Sequence, residues 1–217
     1  MAAERQLRIT YNMTRCYLDV ARGVFVSLHH PFGEEFISQH GHIPLANATI
    51  AVVSISIIYS YLALESFFNY RLYRLWERRH SGSPEAGRFH RLLGDAPAFE
   101  SLRTNRTVSE LGPRIRTVCE VMGFEEPHQR VPQLWQDFND LVKRSRHFLV
   151  HPNPASEMFQ AELQRIGEQT VSGKYVAVAE GLLTFYYSQG GQAPPAWVTR
   201  NTLLGFRGVD VLTEEAQ

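Results

Sequence analysis

"ATIAVVSISIIYSYLALESFFNYRLYRLWERR", residues 48–79, decides what kind of molecule this is. From Gly41 to Leu64 there is no Asp, Glu, Lys or Arg, and the arginine-rich "RLYRLWERRH" follows, as it would beside a membrane-spanning helix. Polar residues argue the other way. Pro44, Asn47, Thr49, Ser54, Ser56 and Ser60 interrupt the run, and its apolar part, Ile50 to Leu64, is only 15 residues long. A bilayer needs about 20. The stretch therefore reads as a long core helix, apolar nearly all round in its first half and amphipathic in its second. Asn47 is a candidate N-cap. The arginines at the far end suit the negative pole of a helix.

The rest of the chain supplies the partners for such a helix. "SELGPRIRTVCEVMGF" carries Leu111, Ile115, Val118 and Met122 at helical spacing, with Pro113 in the first turn and Gly123 as a stop. "PQLWQDFNDLVKRSRHFLVHP" aligns Leu134, Phe138, Leu141, Ser145 and Phe148 on one face, and Pro152 and Pro154 end it. "ASEMFQAELQRIG" and "KYVAVAEGLLTFYYSQGG" are two further helices, and a short helical piece surrounds "GRFHRLLG". No stretch reads as a central strand. The expected fold is an all-α bundle of four or five helices with a long central first helix. Residues 1–40 read as an unassigned N-terminal extension in which "CYLDVARGVFVSLHH" fits a short helix or a hairpin. Residues 41–200 read as the helical domain, and 201–217 as a tail.

Composition narrows the function classes. Apolar residues make up 44% of the 217 and aromatic ones 12%, enough for a folded core. The formal net charge is zero, so nucleic acid would have to be held by a local basic patch. Cys16 and Cys119 alone make neither a disulfide framework nor a zinc site, and fit a reducing compartment. "MAAERQLRITYN" lacks a charged start followed by an apolar run, so no secretory signal is expected and the expected setting is cytoplasmic. No membrane partner is expected. His29-His30 and His40-x-His42 have no ligand set around them, and no phosphate loop or dinucleotide fingerprint occurs. Neither a metal nor a cofactor is expected.

The chemistry-bearing residues gather at the end of the helix that stops at Pro152. On a regular wheel, Arg146 lies at the edge of the apolar stripe near Asn139, and His151 is about 140° further round and ~7.5 Å along the axis. His151 precedes a proline, which pushes its backbone out of the helical region. His147, four residues before it, faces the same way. Arg146, His147 and His151 thus form a cluster, with Lys143 and Arg144 a turn earlier.

That pattern, Arg146 and His151 in "RHFLVH" with a polar residue directly after the arginine, resembles the signature of the HEPN superfamily of all-α proteins. "SYLALESFFNY" resembles the family's first long helix, in which Glu65 and Asn69 would face the site. "YVAVAEGLLTFYY" followed by "PPAW" resembles its closing helix. The resemblance covers roughly residues 45–200. It departs from the family at His147, where Asn or Asp is commoner.

The resemblance implies a metal-independent endoribonuclease that works as a homodimer in a bacterial toxin, stress or phage-defence setting, with RNA as substrate and an antitoxin or regulatory protein as a further partner. Arg146 and His151 would be catalytic, and His147, Glu65 and Asn69 supporting. Lys143 and Arg144 would bind substrate. The residue types suit the chemistry. Histidine titrates near neutral pH and can move protons. Arginine stays charged and grips two phosphate oxygens. The alternative is the same bundle as a non-catalytic module that binds RNA, a nucleotide or a protein. A structural role is the plainer reading of several of these residues. A buried carboxylate at Glu65 needs a partner, and Arg146 is the natural candidate.

Overall fold

The computed structural model describes residues 13–24 and 45–199, apart from 154, 156 and 170–173. The expectations for His29, His30, His40, His42 and residues 201–217 lie outside the described residues. Every regular element described is helical, and no described helix is long and apolar enough to cross a membrane.

Helix α1 spans 13–24 and α2 spans Leu45–Glu77. At 33 residues α2 is about 50 Å long and forms the axis of the fold. Asn47 lies inside this helix and is not its N-cap. Its buried stripe runs Val53, Ile57, Tyr61, Leu64, Phe67, Phe68, Leu72 and Leu75, spaced by three or four residues except for the adjacent Phe67 and Phe68. Ser56 and Ser60 go inward too. Ser56 donates from Oγ to the Ala21 carbonyl at 3.1 Å, which seats α1 on α2.

Helix α3 (Pro84–Leu93) starts on a Ser83 cap whose Oγ accepts from the Ala86 N–H at 3.2 Å. A 3-10 segment, Phe99–Thr104, leads to α4 (Leu111–Met122). Gly123 ends α4 at φ +76°, and the Phe124 N–H returns to the Cys119 carbonyl, as a left-handed C-terminal turn requires. After the short α5 (Pro127–Arg130), three segments run without a break: α6 (Pro132–Asp137), a π-helical stretch (Phe138–Lys143) and α7 (Arg144–Val150). Then follow α8 (Phe159–Gln169), α9 (Lys174–Gln189) and one turn, α10 (Ala196–Thr199).

Helix α2 packs against α9, α4, α8 and α7, so the other helices surround it. Part of the segment read as an extension joins this core. Leu18 and Ala21 of α1 are fully buried, and Arg22 is 3% exposed. Arg22 donates to Glu180 at 2.7 Å and to the carbonyls of Trp197 and Val198 at 2.7 and 2.6 Å, which ties α1 to α9 and α10.

Candidate functional site

The continuous helix through residues 132–150 and its C-cap His151 carry the cationic and imidazole side chains of the motif. Its π-helical stretch alters where they point. The Arg144 N–H bonds five residues back to the Asn139 carbonyl. The Asn139 side-chain amide takes the Trp135 carbonyl at 2.8 Å, which a regular helix would give to the Asn139 backbone. One extra residue in a turn lags everything after it by about 100°. Arg146 is half-buried beside the fully buried Ser145 and faces α2.

The Arg146 guanidinium lies over the Tyr61 ring, 4.9 Å from its centroid, a cation–π contact. Among the described residues no carboxylate pairs with Arg146. Glu65 pairs instead with Arg114 of α4, at 3.7 Å. Arg114 is 8% exposed and also donates to the Val108 carbonyl at 2.8 Å. Burial raises the Tyr61 phenol above its ordinary pKa and the Glu65 charge adds to this, while Arg146 and Arg114 oppose it. Lys143 bonds Glu110 at 3.0 Å and holds that carboxyl below its usual range. The expected Arg146–Glu65 pair is thus replaced by two contacts one helical turn apart on α2. Asn69 is half-buried and lies eight residues beyond Tyr61, about 12 Å further along.

The histidines open on a different surface. His151 is the C-cap of α7, at φ −127°, with its N–H on the His147 carbonyl at 2.9 Å. The two rings are exposed and 5.3 Å apart. They line a cleft of about 280 Å³ together with Arg144 and Glu162. Phe148 and Met158 form its apolar wall, and Asn153 stands at its rim. Arg146 does not line it. The guanidinium here is that of Arg144, which is paired with Glu162. Glu162 is 7% exposed and also holds Arg165, at 2.8 Å. Arg165 in turn reaches the Ser145 hydroxyl at 2.9 Å and the Asp140 carbonyl at 3.2 Å. This chain of bonds fixes α7 against α8.

The structure therefore brings together His147, His151 and Arg144, and sets Arg146, Glu65 and Lys143 along the seam between the motif helix, α2 and α4. Sequence reasoning passed over Tyr61, Arg114, Met158 and Glu162. Glu162 left a signal, since it shares a helical face with Phe159 and Ile166, and a carboxylate on an apolar stripe calls for a cation. Among the described residues no group of three or more His, Cys, Asp or Glu side chains could hold a metal ion. No family model matches the chain, and neither a curated protein nor a solved structure matches it.

Proposed function

We propose that the chain is a HEPN-like, metal-independent endoribonuclease, and that its cleavage centre is the cleft at the end of α7. The observation that carries this reading is the exposed pair His147 and His151, 5.3 Å apart, in one cleft with Arg144. A neutral imidazole takes the proton of an RNA 2′-hydroxyl, whose oxygen attacks the adjacent phosphorus. The bond from phosphorus to the 5′-oxygen breaks, and a protonated imidazole gives that oxygen its proton. The products are a 2′,3′-cyclic phosphate and a free 5′-hydroxyl. Arginine stabilises the charge that builds on the phosphate oxygens. In one chain Arg144, which lines the cleft beside the histidines, would take this role. Arg146 lies over Tyr61 outside that cleft, so it would act only from a second copy, which across a two-fold axis would add a second motif to the same groove.

The alternative reading is a HEPN-like module that binds RNA, a nucleotide or a protein without cutting. One observation favours it. The guanidinium of the motif arginine is engaged with Tyr61 and does not line the histidine cleft. Induced expression in bacteria separates the two. The ribonuclease reading expects growth arrest with fragmented cellular RNA, both relieved by His151→Ala. Normal growth and intact RNA on expression of the folded wild type favour the module.

A further inference from the structure

We propose that the cleft bounded by His147 and His151 is a subsite for a single unpaired nucleotide, with its base on the Phe148–Met158 wall and its phosphate on Arg144. This deepens the ribonuclease reading and rests on it. Three features carry it. The first is size. At about 280 Å³ the cleft lies at the small end of ligand pockets, room for one nucleotide and not for stacked base pairs.

The second is the apolar wall. Met158 is 56% exposed, one of the few large apolar side chains open to solvent among the described residues. It sits beside Phe148, whose ring is braced by Phe159 at 5.3 Å. A flat base covers such a wall well, and every base has a face to offer it. The bases of a duplex are stacked on each other and have no free face.

The third is the polarity of the rim. The Asn153 side-chain oxygen accepts the Ala155 N–H at 3.2 Å, which leaves its amide hydrogens to donate. Arg144 is half-exposed and carries five N–H donors, more than Glu162 occupies. The rim is therefore rich in donors and matches phosphate oxygens and the carbonyl or ring-nitrogen acceptors of a base. The Glu162 charge at the floor is met by Arg144 and Arg165 together.

The test is fluorescence anisotropy of the full-length protein with a dye-labelled 2′-O-methyl RNA hexamer. That probe lacks the 2′-hydroxyl and so cannot be cut. It is used single-stranded and annealed to its complement. The single strand is expected to bind about tenfold or more tightly than the duplex. Met158→Ala should weaken it about fivefold, and Met158→Phe should restore it. Arg144→Ala should weaken binding further. Because Met158 is exposed, its variants leave folding intact. Equal binding of single strand and duplex, or binding that Met158→Ala and Arg144→Ala leave unchanged, overturns the subsite. So does no binding at all. If those same preparations still cleave unmodified RNA, only the subsite is lost. If they neither bind nor cleave, the ribonuclease reading falls with it.

Discussion

Removing Glu162 should loosen the join between α7 and α8 by a calculable amount. Its carboxylate is 7% exposed and holds two arginines. The Arg144 side chain is 53% exposed, so that pair is largely screened and contributes at most about 1 kcal/mol. The Arg165 side chain is 23% exposed and its bond to the carboxylate is charge-assisted, a class whose members contribute about 1.5–3 kcal/mol. Fully buried pairs cost about 3–5 kcal/mol to break, but Arg165 keeps its bonds to Ser145 and Asp140 and stays in touch with water. Glu162→Ala should therefore cost roughly 2–3 kcal/mol. At roughly 2–4 °C per kcal/mol for a chain of this size, the melting temperature should fall by about 4–12 °C. Glu162→Gln keeps one acceptor for Arg165 and should lose about half of that. Differential scanning calorimetry on the three proteins checks both figures. A fall of under about 2 °C for Glu162→Ala would refute the view that this carboxylate joins the two helices.

Two further outcomes follow from groups buried elsewhere. Arg22→Ala removes the side chain that bonds Glu180 and the carbonyls of Trp197 and Val198. It should cost about 3 kcal/mol and expose the chain near 195–199 to limited proteolysis, with cut sites read by mass spectrometry. Burial pushes the Cys119 thiol from 9.0, and the Tyr175 and Tyr186 phenols from 10.0, up to about 12 in each case. The folded state then holds protons that the unfolded chain would release. Their contribution to stability is complete below pH 9 and is lost as the pH climbs from 9 toward 12. Urea midpoints should fall steadily over that range, while Cys119 should resist a thiol reagent at pH 8 until the protein unfolds.

How far the sequence carried the reading differs from helix to helix. Helix α4 was legible from end to end, because Leu111, Ile115 and Val118 mark its buried face and Gly123 its stop, all local signals. The helix ending before Pro152 was legible in extent and in its buried Phe138, Leu141 and Ser145. Its π-helical stretch was not, since a wider turn is chosen by packing and by one side-chain bond from Asn139. Arg146's partner Tyr61 lies 85 positions earlier, so the site's outline could be read but its partition could not. The identity of Glu65's partner was also hidden. Arg114 lies 49 positions further along, and nothing in either helix alone says that they meet. Residues 13–24 were ambiguous between helix and hairpin because Ser56 and the α10 carbonyls, which hold them, are distant in sequence.

The central claim is that the His147–His151 cleft cuts RNA without a metal. Purified wild type and the His147→Ala/His151→Ala double variant should be incubated with total RNA in EDTA, and the new ends examined chemically. The account predicts fragments ending in 2′,3′-cyclic phosphates from the wild type and none from a double variant that melts at the same temperature. Equal cleavage by the two proteins, or none by either, would contradict it.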